Sequence, residues 1–192
     1  GKDGAGKELK ALLREDRIQA TGIVAVPKRP TSVKTRMIAQ NQQMLRLDRE
    51  TTDPISKESE NRLIRFFDKA ALSHDMAVVS DYEKGTMTQR VCEKLISAFR
   101  RVRKPVMVGL KGREYRKYRG ATGASLNLAE LRLLSGCDDI FAGAKKLIRD
   151  LRLKFLLVTK GAQGMLLMRS DGGSFSLPAT ARQVYDVTGA GD

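Results

Sequence analysis

Residues Met76-Ala77-Val78-Val79-Ser80-Asp81-Tyr82-Glu83-Lys84-Gly85 set the fold class, because a short apolar run passes directly into a polar loop that ends in glycine. Upstream, residues 59–71 place Leu63, Ile64, Phe66, Phe67 and Ala70 at helical spacing, and downstream residues 86–101 read as another helix. A short buried strand between two amphipathic helices is the repeating unit of an α/β protein. The pattern then recurs: Val106-Met107-Val108 is a strand, 128–134 and 142–151 are helices, Phe155-Leu156-Leu157-Val158 is a strand, and Met165-Leu166-Leu167-Met168 is one more after a glycine turn. Such alternation predicts parallel pairing with right-handed crossovers, hence a mostly parallel sheet covered by helices on both faces.

Before this run the chain reads differently. Leu9, Leu12 and Leu13 predict a helix between Gly6 and Asp16 with one buried stripe, and Pro27 and Pro30 prevent the helix from continuing. Residues 31–48 alternate about the polar turn Gln40-Asn41, which predicts a β-hairpin with Lys34, Arg36 and Arg46 on exposed or cleft-facing positions. A hairpin set before α/β units is a candidate lid.

At 192 residues the chain suffices for one sizeable core, and a single unit spanning 1–192 is expected. Its 41% hydrophobic and 30% charged content suits a soluble globular domain. No apolar run has membrane-spanning length, and nothing near residue 1 reads as a signal peptide, so a cytoplasmic location is expected. Cys92 and Cys137 lack metal or redox spacing and read as reduced, partly buried thiols. His74, the only histidine, has no partner at catalytic spacing.

The formal net charge of +14 raises the question of a polyanionic partner. It divides as +4 before residue 97 and +10 after it. Its densest patch, 100–119, holds nine basic residues with Tyr115 and Tyr118 interleaved. Without a nucleic-acid-binding motif, a solvated basic face or attraction of phosphorylated small molecules is the better reading, and neither nucleic acid nor membrane is expected as a partner.

In open α/β sheets ligands bind beyond the carboxyl ends of the strands. That rule selects the 80–85 loop, Gly109-Leu110-Lys111-Gly112, Thr159-Lys160-Gly161-Ala162-Gln163-Gly164, and the terminal Asp186-Val187-Thr188-Gly189-Ala190-Gly191-Asp192. In the last of these, Gly189, Ala190 and Gly191 leave backbone N–H groups open to an anion, and Asp192 stands beside it as a carboxylate able to accept a hydroxyl proton. By itself the turn is equally an ordinary glycine turn with a capping Asp.

The terminal segment resembles the second signature of the ribokinase, or phosphofructokinase-B, carbohydrate kinases. Pro30-Thr31-Ser32-Val33-Lys34-Thr35-Arg36, Asn41-Gln42-Gln43-Met44-Leu45-Arg46-Leu47-Asp48, the 80–85 loop and Tyr118-Arg119-Gly120-Ala121-Thr122 are similar to the heptose 7-phosphate kinase branch of that family. The resemblance implies a ribokinase-like three-layer α/β sandwich with a mostly parallel sheet and a β-hairpin lid. It implies ATP-dependent phosphorylation of D-glycero-D-manno-heptose 7-phosphate at the anomeric hydroxyl, with ATP and Mg2+ as cofactors, in the supply of ADP-heptose for lipopolysaccharide core. Asp192 matches the catalytic base; Gly189, Ala190 and Gly191 match the anion hole. Asn127, Leu128, Ala129, Glu130, Thr159, Gly161 and Asp186 match the nucleotide side, with Glu130 organising magnesium through water. Lys34, Arg36, Asn41, Asp81, Tyr82, Lys84 and Lys111 match the sugar-phosphate side. A homodimer through the lid hairpin is also implied.

The chain departs from the family at two places. Gly109-Leu110-Lys111-Gly112 stands where Asp-Pro-Lys-Gly is usual, and Ser125-Leu126 stands where Thr-Pro is usual. The resemblance further implies that strands carrying a paired-glycine sugar signature precede residue 1, that a helix follows Asp192, and that an adenylyltransferase domain belongs to the whole. Two other readings stay open: another phosphofructokinase-B-family sugar kinase, and an inactive truncated relic with a polyanion-binding surface. A dinucleotide-binding oxidoreductase is disfavoured, since no Gly-x-Gly-x-x-Gly opens a βαβ unit.

Overall fold

The computed structural model describes residues 1–40 and 42–179. They divide into two compact units: residues 1–74 with 81–102, and residues 75–80 with the chain from 103 onward.

The first unit holds α1 (Gly4–Glu15), the antiparallel pair β1 (Val33–Ala39) and β2 (Gln42–Arg49), α2 (Lys57–Ser73) and α3 (Gln89–Arg101). Asp3 starts α1: its carboxylate accepts from Gly6 N (2.9 Å) and also from the backbone and hydroxyl of Thr31 (2.8 and 2.7 Å). The expected buried stripe on this helix is not found. Leu9 and Leu12 are about half exposed, because no element of the described chain is laid across them.

The hairpin forms as the alternation predicts, with a bulge between Met37 and Ile38. Its register puts Lys34 opposite Asp48 and Arg36 opposite Arg46 on one face, and Thr35 opposite Leu47 and Met37 opposite Leu45 on the other. Helix α3 begins three residues later than the periodicity suggests. Thr88 supplies the N-cap, accepting from Val91 N while its own hydroxyl donates to Glu60 of α2. Glu60 also takes Arg90 (3.0 Å), and Asp68 takes Arg101 (2.7 Å), so both ends of α3 are tied to α2.

The second unit is built on six strands in sequential order: β3 (Ala77–Ser80), β4 (Val106–Gly109), β5 (Gly123–Asn127), β6 (Phe155–Thr159), β7 (Met165–Arg169) and β8 (Ser174–Leu177). The first four pair in parallel and the last two are antiparallel. Helices α4 (Leu128–Ser135) and α5 (Ile140–Leu151) pack together on one face, where Val106, Val108, Ala124, Leu156, Val158 and Met168 are buried. On the opposite face Met107, Leu157 and Leu167 stay half-buried, so the described residues of this unit supply helices to one side only.

Two strands escape the sequence reading. β5 is Gly-Ala-Ser-Leu-Asn, too small and polar to show as an apolar run, yet it lies between β4 and β6. Gly123 is needed there, since a Cβ would lie 2.5 Å from the Phe155 ring of the neighbouring strand. β8 is exposed along its length. The strand expected to be buried, β3, is an edge strand of the described sheet: Val79 is buried but Val78 is 71% exposed.

Candidate active site

The loop after β3 is fastened within the first unit. Asp81 is buried, and its Oδ1 accepts from Glu83 N (2.8 Å), which holds Glu83 at a φ of 56°. Gly85 has a φ of +72°, and a Cβ would fall 1.9 Å from the Asp53 carbonyl oxygen, so only glycine fits. Its own carbonyl accepts from Ile55 N (2.9 Å). Arg29 adds the remaining ties, donating to the carbonyls of Asp53 (2.8 Å), Thr51 (3.5 Å) and Lys84. The sequence does not single out Arg29, which shows there only as a cation between two prolines.

That scaffold fixes the expected sugar-phosphate residues. Lys84 Nζ donates to Glu50 (2.5 Å), while Lys34 Nζ reaches both Glu50 (3.4 Å) and Asp48 (2.9 Å), so the hairpin lysine and the loop lysine meet at one carboxylate. Asp48 also receives Arg46 Nε (2.9 Å). Lys34 is held above the ordinary lysine range, chiefly by its hydrogen bond to Asp48. Glu50 is held below the usual carboxylate range, chiefly by Lys84, and Asp48 likewise, chiefly by Lys34. Arg36 is exposed beside Arg46 on the same hairpin face. Tyr82 is 44% exposed. Asn41 lies outside the described residues.

In the second unit the carboxyl ends of β4, β5 and β6 stand side by side. Gly109 pairs with Ser125, and Asn127 pairs with Thr159. Asn127 caps α4 through a reciprocal pair of bonds: its Oδ1 accepts from Glu130 N (2.8 Å), and Glu130 Oε2 accepts from Asn127 N (2.7 Å). Leu128 and Ala129 form the first helical turn, so the 127–130 segment presents a helix N-terminus at the carboxyl end of the sheet. Gly161 has a φ of +57° with open space around it, in a turn closed by Lys160 N donating to Gly164 O (2.8 Å). Lys111 follows β4 on the loop next to these ends.

The two departures from the family pattern are absorbed by the ladder. Leu110 is buried, and its N–H donates to Ser125 O (2.8 Å), a bond a proline there would not make. Leu126 pairs with Val158 in the core of β5.

Asp186, Gly189, Ala190, Gly191 and Asp192 lie outside the described residues. His74 ends α2, with Nδ1 3.1 Å from Ala70 O and 3.0 Å from Ser73 Oγ, a local capping role. Cys92 is buried and Cys137 half-buried. Tyr115 and Tyr118 are buried, the latter beneath the Lys117 ammonium at 5.2 Å, and so do not form the exposed stacking platform that single-strand binding uses. Among the described residues no helix is long and apolar enough to cross a membrane.

The model of the pfkB family carbohydrate kinases matches residues 1–192. The bifunctional protein HldE of Geotalea uraniireducens is 41% identical over 197 residues, covering 100% of this chain and 40% of that protein; its counterpart in Wolinella succinogenes is 39% identical, with 41% covered. The chain thus spans about two fifths of the length of these curated relatives. Among solved structures, ribokinase from Giardia lamblia superposes with a TM-score of 0.76 at 21% identity, over 100% of this chain and 60% of that one. Arabidopsis thaliana ribokinase complexed with ribose and ATP gives 0.71 at 18% identity, over 100% and 63%. These likenesses establish a ribokinase-like α/β fold with a mostly parallel sheet and a small antiparallel hairpin. With the family model matched from Gly1 to Asp192, the chain belongs to the pfkB family of carbohydrate kinases.

Proposed function

We propose that the protein containing this chain transfers the γ-phosphoryl group of ATP to the anomeric hydroxyl of D-glycero-D-manno-heptose 7-phosphate, yielding the 1,7-bisphosphate for ADP-heptose and lipopolysaccharide core biosynthesis in the cytoplasm. The observation that carries this reading is the convergence of Lys34 and Lys84 on one carboxylate. Two ammonium groups gathered at one anion suit a phosphate already carried by the sugar, whereas an unphosphorylated sugar has no charge for them to hold. Identity of 36–41% to HldE proteins along most or all of the chain supports the same choice.

In this reading Lys34, Arg36, Asn41, Asp81, Tyr82, Lys84 and Lys111 serve the sugar phosphate. Asn127, Leu128, Ala129, Glu130, Thr159, Gly161 and Asp186 serve the nucleotide. Gly189, Ala190 and Gly191 receive the transferring group, and Asp192 takes the proton of the attacking hydroxyl. Magnesium, when bound, neutralises phosphate charge. The residues fit it: Glu130 commits Oε2 to Asn127 N and keeps Oε1 for an ion-bound water. A second copy of the chain is the partner assigned to the hairpin, whose Met37, Leu45 and Leu47 are about half exposed on one face. Leu47→Asp should convert a dimer to monomer in sedimentation.

The test uses the full-length protein with ATP and magnesium, comparing heptose 7-phosphate with ribose, fructose 6-phosphate and nucleosides. Heptose 7-phosphate should be preferred, and Lys34→Ala should raise its KM about tenfold with a smaller change in kcat. Equal turnover of unphosphorylated sugars, or an unchanged KM in Lys34→Ala, would overturn the assignment.

A further inference from the structure

Within the first unit five charged side chains form one chain of alternating sign. Lys84 Nζ meets Glu50 Oε1 at 2.5 Å, Glu50 Oε2 meets Lys34 Nζ at 3.4 Å, Lys34 Nζ meets Asp48 Oδ2 at 2.9 Å, and Asp48 Oδ1 meets Arg46 Nε at 2.9 Å. Glu50 is the link between the hairpin and the loop after β3, since it spends one oxygen on each lysine. Its side chain is 17% exposed, the least of the group. Asp48 is the partner of Lys34 within the hairpin, whereas Glu50, one residue beyond the end of β2, has no cross-strand partner and reaches instead to both cations. No sequence motif marks it.

Resting on the proposal that Lys34 and Lys84 hold a phosphate, we infer that Glu50 is the built-in counter-ion of that clamp: it bridges the two lysines in the absence of phosphate and is displaced by one. A carboxylate with one charge, already tethered, excludes free monoanions from the lysines by occupying them. A phosphate dianion brings twice the charge and three acceptor oxygens, so it takes both ammonium groups and frees Glu50 to turn towards solvent. The carboxylate therefore sets a threshold that an incoming anion must exceed, and it keeps two like charges from facing each other when the site is empty. Hydrogen bonding from Lys84 keeps Glu50 ionised, as that role requires.

The experiment is a calorimetric titration of the full-length protein with inorganic phosphate and with acetate, near neutral pH and low salt. Glu50→Gln keeps the length of the side chain and one acceptor oxygen but removes the competing charge. Phosphate should bind about fivefold tighter than to the parent, the worth of one unit charge at roughly 5 Å in a watery site. Acetate, with half the charge to be repelled, should gain by a smaller factor. Asp68→Asn makes the same charge change at an exposed pair with Arg101 and should leave both affinities near those of the parent. Adding Lys84→Ala to Glu50→Gln should abolish the gain. Glu50→Asp, too short to span both lysines, should tighten phosphate binding by a smaller factor and serves if the Gln variant does not fold. Phosphate affinity in Glu50→Gln that is unchanged, weaker, or raised only as much as in Asp68→Asn refutes the counter-ion role. Because the probe is inorganic phosphate, the outcome does not depend on turnover; an error in the substrate assignment would show separately, as failure of the parent protein to phosphorylate heptose 7-phosphate.

Discussion

Glu130→Gln separates the helix-capping role of this side chain from the magnesium role proposed for it. The carboxylate closes the capping box of α4 by accepting from Asn127 N at 2.7 Å, and in the proposed mechanism it also orders a magnesium-bound water. Glutamine is competent in a capping box, so the cap should survive with at most a few tenths of a kcal/mol lost, plus about 0.5 kcal/mol for the missing charge at a helix N-terminus. Asn127→Ala removes the other bond, 2.8 Å to Glu130 N, and should cost about 1 kcal/mol. For a chain of this size 1 kcal/mol corresponds to about 2–4 °C in Tm. Thermal melts of the full-length protein should therefore order as parent, Glu130→Gln, Asn127→Ala, over a range of a few degrees. Kinase assays across a magnesium titration should order differently: Glu130→Gln should need about tenfold more magnesium for half-maximal rate, a larger shift than Asn127→Ala gives at matched folded fraction. A Glu130→Gln enzyme with the magnesium dependence of the parent would reduce this residue to a helix cap and refute the assignment.

Three further outcomes test the fold. Leu156→Ala, at a fully buried position in β6, should lower stability by about 3 kcal/mol in urea titrations without changing the m-value. Gly123→Ala should cost about 1–3 kcal/mol because its Cβ meets the Phe155 ring, and Phe155→Leu should recover much of that loss in a double-mutant cycle. Asp3 is held well below the usual carboxylate range, chiefly by the Thr31 hydroxyl. Since its folded value is depressed, its contribution is complete above about pH 4 and fades only as pH falls further, so protection of the Thr31 and Gly6 amides in hydrogen exchange should persist at pH 4 and decline below it.

Most of the elements were legible because each carries its own period. The 57–73 and 89–101 helices show apolar residues at helical spacing, and the hairpin shows alternation about Gln40-Asn41. β5 was not legible: Gly123, Ala124 and Ser125 make no apolar run, and Gly123 suits the strand because the Phe155 ring of the neighbouring strand fills the space a Cβ would take. The exposure of Val78 and of the α1 leucines was equally hidden, since a local pattern states which face is apolar and not what covers it. Among site residues, the 80–85 loop was marked by its position after a strand and the 127–130 motif by the family resemblance. Arg29 and Glu50 were not, because their partners lie 22 to 55 and 16 to 34 residues away.

The sequence by itself determined the class of fold, the hairpin and the family, because periodicity and motif order are local properties that survive without coordinates. Only the tertiary structure decided that Lys34 and Lys84 share a carboxylate, that the Glu130 carboxylate is already half engaged in a helix cap, and that Leu110 completes a ladder bond in place of a proline. Each of those facts depends on which distant groups chain closure brings within hydrogen-bond reach, and no local spacing encodes that.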